Sequence, residues 1–276
     1  MYNSMLDSSS MVMSTPDILQ TIIQRKRQDI QESMSLRPLA SLRKEVESLE
    51  TPTVVHSLSR SLASSPTGII AEFKRKSPSL GWIKEEARPA DIVPAYAANG
   101  ASALSILTDA PFFGGSPEYI REVRNKVSLP ILRKDFIIDD YQVYETRLIG
   151  ADAMLLIASC LDLPTCRHLA SLAHSLGIEV LLEVHEATEL DYICDGVTCV
   201  GVNNRNLHTF VTDIQTSVHL ADAIPSCYVK VSESGIHDAA SLHLLQKCGY
   251  QGFLMGERFM KCPSPADALA QFLKSI

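Results

Sequence analysis

The chain lacks any run of about 18 consecutive apolar residues, so it offers no membrane-spanning helix. Its seven cysteines, at positions 160, 166, 194, 199, 227, 248 and 262, never fall into a C-x-x-C pair. That odd count and irregular spacing exclude a disulfide framework and a cysteine-based zinc site, and each cysteine reads as a small buried hydrophobe in a reducing cytoplasm. The eight histidines show no H-E-x-x-H spacing, and neither a G-x-S-x-G elbow nor a P-loop is present. Basic excess is missing as well. With 25 Lys and Arg against 32 Asp and Glu, the net charge of −7 argues against a broad nucleic-acid-binding face. A small anion in a locally positive pocket stays compatible with that balance. The first residues carry neither the basic nor the apolar region of a signal peptide, and residues 1–14 read as a Ser- and Met-rich tail.

Among the 276 residues, 46% are apolar and 21% charged, which is enough material for one large core. A helix is predicted from Thr15, with Thr15 as cap, Pro16 at the first position and Asp17 in the first turn. Ile18, Leu19, Ile22, Ile23 and Ile30 recur at its spacing. A second helix follows Pro38, with Leu39, Leu42, Val46 and Leu49 on one stripe. These two helices make an extension over residues 15–66. From residue 67 to residue 276 the texture changes to short apolar runs, near residues 68–74, 103–109, 129–136, 152–158, 178–184, 199–204, 228–234 and 252–257. Amphipathic stretches such as 89–99, 141–148, 163–176 and 239–248 lie between them. Continuous apolar strands alternating with helices indicate a parallel sheet covered by helices, and eight units of this length indicate an α/β protein with a closed (β/α)8 barrel. An open dinucleotide-binding sheet would need a Gly-rich turn after its first strand, where Lys74, Arg75, Lys76 and Ser77 stand instead.

Side chains two apart on a strand share a face. By that parity Glu72 and Lys74 extend the face of Ile70, Lys134 that of Leu132, and Glu183 that of Leu181. Asn203 and Arg205 follow Gly201, and Glu233 follows Val229 and Val231. Polar residues thus interrupt five apolar runs, always toward the C-terminal end, where barrels carry their chemistry. Taken singly each has a plain explanation: an exposed pair of Lys134 with Asp135, a solvent-facing Glu183, a structural pair of Glu72 with Lys74. Gathered at one mouth, Lys74, Lys134 and Arg205 balance Glu72, Glu183 and Glu233, as acid–base catalysis requires. Ser234 with Gly235 and Gly256 with Glu257 close the seventh and eighth runs, the positions where barrels bind phosphate, and Ser77 adds a hydroxyl. His185 reads as structural or exposed, and Trp82, Phe112 and Phe113 as packing.

The segments IIAEFKRKSPSLGWI (69–83), PILRKDFIIDDYQVYETRLIGADAMLLI (130–157) and LLEVHEATEL (181–190) resemble indole-3-glycerol phosphate synthase. So do VGVNNRNL (200–207), VSESGI (231–236) and GFLMGERFM (252–260), and the likeness runs from about Thr15 to the end. It implies ring closure of 1-(2-carboxyphenylamino)-1-deoxyribulose 5-phosphate to indole-3-glycerol phosphate with release of carbon dioxide and water. This is a carboxy-lyase step of tryptophan biosynthesis that needs neither cofactor nor metal. By the same resemblance Lys134 is the general acid, Glu183 the general base and Lys74 a further acid–base residue. Glu72 and Glu233 hold the lysines and the substrate hydroxyls, and Asn203 bonds the reacting region. Ser77, Ser234, Gly235, Gly256 and Glu257 line the phosphate pocket, Glu257 through its backbone N–H. Phe113, Phe136, Leu155 and Leu207 wall the anthranilate ring, with Arg205 nearby. Asn206 replaces the Asp of the family's N-R-D-L pattern; if that Asp orients Arg205, the orientation is weaker here. The partner implied is a phosphorylated small molecule alone, taken by a monomer with at most weak association among tryptophan-pathway enzymes. Three rivals stay open: phosphoribosylanthranilate isomerase, whose Cys is missing at the first strand's end, a Schiff-base aldolase using Lys134, and a non-catalytic phosphate-ligand binder.

Overall fold

The computed structural model describes residues 18–49, 56–206, 209 and 211–276. The expected tail 1–14, the cap at Thr15 with Pro16 and Asp17, and Leu207 lie outside the described residues. Three helices open the described chain: α1 (Ile18–Leu36), α2 (Leu39–Glu47) and α3 (Leu58–Ser64). The extension therefore holds one helix more than its sequence suggests, because seven residues rich in serine show too little apolar period to announce themselves. Ser57 caps α3 by accepting from the Arg60 N–H.

Eight parallel strands follow: β1 (Ile69–Phe73), β2 (Ala103–Leu107), β3 (Ile131–Lys134), β4 (Ala153–Ile157), β5 (Glu179–Val184), β6 (Val197–Asn203), β7 (Val229–Glu233) and β8 (Gly252–Met255). They pair in sequence order and close on themselves, with Ile70 beside Ala103 on one side of β1 and Ile69 beside Phe253 on the other. This is the (β/α)8 barrel that the alternating runs predict. Most strands are shorter than those runs, since hydrophobicity continues into the buried turns, whereas β6 begins earlier at Val197. Between and after the strands lie α4 (Pro89–Ala98), α5 (Ala110–Phe113), α6 (Glu118–Arg124), α7 (Asp140–Ile149), α8 (Leu163–Ser175), α9 (Gln215–Leu220), α10 (Ala239–Lys247), α11 (Glu257–Met260) and α12 (Pro265–Leu273). Asp139, Asp162 and Asp238 cap α7, α8 and α10 through their carboxylates. No described helix is long and apolar enough to cross a membrane.

Strand alternation sorts the core in two. Ile69, Ala71, Phe73, Leu104 and Ile106 face the outer helices, while Ile70, Ala103, Leu132, Leu155, Leu181, Val231 and Leu254 fill the interior. The extension plugs both ends of that interior. From α3, Leu58 and Leu62 join the interior cluster, and Ser57 and Ser59 bind Glu179 at the start of β5. From α1, Leu19 and Ile22 join it at the opposite, C-terminal end. Each such buried side chain contributes roughly 1.5–3 kcal/mol of transfer free energy, so docking α1 on the mouth is favourable before any polar contact is made.

The cysteines are not uniformly buried: Cys166 and Cys199 are, Cys227 is exposed and the rest are intermediate, because their positions straddle helix flanks and loops. Trp82 is 46% exposed rather than packed. It stands on a hairpin that pairs Lys76–Ser77 with Gly81–Trp82, and its ring carries Arg75 at 5.2 Å and Lys76 at 5.5 Å.

Candidate active site

Lys134, Asn203 and Glu233 are the last residues of β3, β6 and β7, Glu72 and Glu183 stand one residue before the ends of β1 and β5, and all five side chains line the mouth. The Lys134 ammonium is 3.0 Å from Glu183 Oε2 and 3.5 Å from Glu233 Oε2. Asn203 donates to Glu183 Oε1 at 3.1 Å and accepts the Arg205 backbone N–H at 3.0 Å, which fixes its amide. Lys74 sits 2.9 Å from Glu72. Glu183 and Glu233 are each 1% exposed, so neither is a solvent-facing strand end. Nor does Lys134 pair with Asp135. Adjacent strand residues point oppositely, and Asp135 turns away to Lys26 and Arg133.

Burial in the mouth disfavours every charge, and neighbours decide the outcome. For Lys134, burial acts to lower its affinity for a proton, but Glu183, Glu233 and Glu72 outweigh it and hold the ammonium well above the usual lysine range. Burial likewise acts against the Glu183 anion, yet Lys134, His185 and the Asn203 amide keep it below the usual carboxylate range. Glu233 goes the other way: burial, helped by Glu183 and Glu72, pushes it up despite Lys134.

Two recesses open at this mouth and share Glu72, Lys74, Arg205, Ser234 and Leu254. The first is lined by Lys134, Glu183, Asn203 and Glu233, by Phe113, Phe136 and Leu155, by Ser77, and by Ile18, Leu19 and Ile22 of α1. The Phe113 and Phe136 rings lie 6.0 Å apart. The second adds Gly235, Gly256, Glu257, Thr212 and Lys261. Ser77 is thus separated from the Gly235–Gly256 group and lines the first recess. Both Ser234 and Gly235 adopt positive φ, 66° and 76°, which turns the chain sharply after β7. The Glu257 carboxylate accepts from Arg205 at 3.2 Å and from Lys261 at 2.7 Å, so its charge is offset rather than presented to a ligand. Arg205 is further held by Thr212 Oγ1 at 3.3 Å, so its orientation does not depend on an acid at position 206 alone.

Sequence reasoning missed a supporting layer. Lys26 is buried on α1 with its ammonium 2.8 Å from both Asp109 and Asp135. Asp109 also caps α5, which carries Phe113, and Asp135 accepts the Phe136 N–H at 2.8 Å. Arg133 joins Asp135 to Glu145 and Thr108. Asn204 ties Ser217 and Ser232 to the Ser234 carbonyl. The signal for Lys26 was available: with Leu19, Ile22 and Ile30 it occupies the buried stripe of α1, where a lysine needs a partner. His185, which reads as structural or exposed from the sequence alone, holds its ring 3.4 Å from Glu183. Among the described residues no group of three or more His, Cys, Asp and Glu side chains is arranged to hold a metal ion.

A family profile described as indole-3-glycerol phosphate synthase matches residues 19–272. A protein of that name from Bacteroides thetaiotaomicron is 52% identical over 94% of this chain and 99% of its own length. One from Aromatoleum aromaticum is 44% identical over 92% of this chain and 97% of its own. Among solved structures, a chain from the tryptophan synthase a2b2 complex of Pyrococcus furiosus superposes with a TM-score of 0.56 at 14% identity, covering 76% of this chain and 97% of that one. That last likeness concerns the fold alone.

Proposed function

This chain belongs to the indole-3-glycerol phosphate synthase family, and from that premise we propose how its mouth divides the work of ring closure. The reaction is the family's: a carboxy-lyase step of tryptophan biosynthesis that turns a phosphorylated small molecule into indole-3-glycerol phosphate. The observation that carries the assignment of roles is one ammonium, Lys134, set between two buried carboxylates, Glu183 of β5 and Glu233 of β7.

Lys134 protonates the ribulose carbonyl as the ring carbon attacks it. An amine held in its ammonium form suits proton donation and opposes the Schiff-base alternative, which needs a free amine. Glu183 is kept ionised and takes the proton released as the indole forms. Lys74, paired with Glu72, assists departure of the hydroxyl, while Glu233 and Asn203 orient Lys134 and Glu183. The anthranilate ring lies against Phe113, Phe136 and Leu155, where flat apolar surface is buried. Its phosphate occupies the second recess, where Ser234, Gly235, Gly256 and the Glu257 backbone approach it and Lys74 and Arg205 supply charge. Ser77 offers its hydroxyl from the first recess rather than the second. The extension and the barrel act as one catalytic unit, since α1 lines the substrate recess. Seven unpaired cysteines suit the cytoplasm, and the enzyme is taken as a monomer with at most weak association with other tryptophan-pathway enzymes.

The test is turnover of purified protein with 1-(2-carboxyphenylamino)-1-deoxyribulose 5-phosphate in the presence of a chelator, read by product indole fluorescence. A rise at catalytic enzyme concentration supports the reading. Calorimetric binding without product points to a non-catalytic binder, and neither binding nor product overturns the assignment of substrate.

A further inference from the structure

The family's reaction consumes a proton. A C–C bond forms between the carboxylate-bearing ring carbon and the ribulose carbonyl carbon, whose π pair moves to oxygen. The bond to the carboxylate then breaks, and its electron pair returns to the ring as carbon dioxide leaves. The former carbonyl oxygen takes up two protons and departs as water, while the carbon beside the ring nitrogen gives up one. The substrate enters with an ionised carboxylate and the phosphate is unchanged, so every turnover draws one proton from solvent. Lys134 and Glu183 can exchange a proton across their 3.0 Å contact, but that exchange supplies none.

A route lies beside Glu183. Its Oε2 faces Lys134, and its Oε1, which accepts from Asn203, is 3.4 Å from His185 Nε2. The other ring nitrogen, Nδ1, is 3.4 Å from Glu189 Oε2, on the 3-10 turn Ala187–Tyr192 that follows β5. That same oxygen accepts the His185 backbone N–H at 2.5 Å, which pins the acid beside the ring. Both ring nitrogens are buried and make no hydrogen bond among the described residues, so Nδ1 is open to a proton from Glu189 and Nε2 is placed to give one to Glu183. Neither His185 nor Glu189 lines either recess, so substrate in the mouth leaves the pair uncovered. The His185 and Glu189 side chains are 16% and 13% exposed against 2% for Glu183, so both stand nearer solvent than Glu183, and the buried ring nitrogens face the two carboxylates.

We propose that His185 is a proton relay, passing solvent protons from Glu189 to the buried Glu183. The proposal rests on the reading of Glu183 as a proton-transferring group of the ring closure. Glu183 on β5, Glu189 on the following turn and Glu233 on β7 all act on the imidazole, with Lys134 of β3 beyond Glu183. Burial disfavours its charged form, but the carboxylates outweigh burial and raise its proton affinity above the ordinary histidine value. Such a ring takes up a proton more readily than an ordinary histidine and can hand it to Glu183 once Lys134 has given its own to the carbonyl oxygen.

His185→Gln and Glu189→Gln are compared with the wild type at saturating substrate, with and without added imidazole. For His185→Gln, kcat falls by about tenfold or more with KM within about twofold, and imidazole restores it in a concentration-dependent manner. Glu189→Gln lowers kcat in the same direction and is restored in the same way. Wild-type kcat in His185→Gln overturns the relay, and so does a loss that imidazole does not repair in a protein whose melting matches the wild type. Should His185→Gln fail to fold, Glu189→Gln decides: a repairable loss supports the relay, and an unchanged or irreparable kcat overturns it. Absence of product from the wild type is a separate failure, of the active-site reading beneath the proposal.

Discussion

Replacing Lys26 with methionine removes the charge that joins the first helix to the barrel mouth while keeping most of the side chain's volume. The ammonium lies 2.8 Å from Asp109 Oδ2 and 2.8 Å from Asp135 Oδ1, with 8% of its side chain exposed. Without it, Asp109 Oδ2 has no hydrogen-bond donor among the described residues, whereas Asp135 keeps Arg133 at 3.1 Å and Thr108 at 2.6 Å. Removing one partner of a buried pair costs about 3–5 kcal/mol, and the contacts left to Asp135 place Lys26→Met at the lower end, about 3 kcal/mol. For a chain of this size that is a fall in Tm of roughly 6–12 °C. The sign with pH follows from Asp135. Burial acts to raise its pKa, but Lys26 and Arg133 hold it far below the usual carboxylate range. A depressed carboxylate contributes stability above its unfolded value of about 3.9, and that contribution is lost as pH falls through the folded value. In the variant part of that contribution is already gone. The difference from wild type is therefore largest near neutrality and narrows below about pH 4. Urea unfolding followed by circular dichroism at several pH values measures it. A loss under about 1 kcal/mol at neutral pH, or a difference that does not narrow in acid, refutes the account of a buried double ion pair.

Lys134→Met is expected to abolish turnover while a non-reacting substrate analogue still binds with affinity within about threefold of wild type; full activity would remove Lys134 from the mechanism. Glu183→Gln should lower kcat by about a hundredfold or more with little change in KM, and a change confined to KM would make Glu183 a binding residue. Gly256→Ala places a methyl carbon 2.5 Å from Glu72 Oε1 and 2.9 Å from its Cβ, so Glu72 must leave Lys74. It should cost about 1–3 kcal/mol in urea unfolding and raise KM, and wild-type values for both would show that the Glu72 side chain moves freely.

Strand-end chemistry was readable because it obeys a period of two. A charged residue that continues the parity of an apolar run must share its face, so Glu72, Lys134, Glu183, Asn203 and Glu233 could be assigned to one mouth once the barrel was inferred. Interactions between elements far apart in the chain follow no such rule. Nothing in the spacing of Lys26 and Asp109 tells that they meet, although a lysine in the apolar stripe of α1 shows that some acid must be waiting. The helix α3 gives little sequence signal because its seven residues hold a single buried apolar pair, Leu58 and Leu62, and its serine contacts to Glu179 carry no period. Trp82 misled for a related reason: a tryptophan is usually buried, and only the hairpin around it reveals that two cations cover its face in place of a core.

The mouth also shows why residue type at a strand end does not fix its chemical role. Glu183 and Glu233 are the same residue, equally buried, on strand ends one strand apart. Burial pushes both toward the neutral form. Glu183 meets that push with Lys134 at 3.0 Å, the Asn203 amide and the His185 ring, and stays ionised. Glu233 has the same ammonium at a longer 3.5 Å, a repelling Glu183 nearby and an Oε1 without a hydrogen bond among the described residues. The second carboxyl therefore holds its proton more readily than the first. Pairs of titratable groups whose surroundings drive them apart are what separates a proton carrier from a proton acceptor in one cavity. Gly201 makes this arrangement possible, because a Cβ there would stand 2.4 Å from Glu233 Oε1 and push that carboxyl out of place.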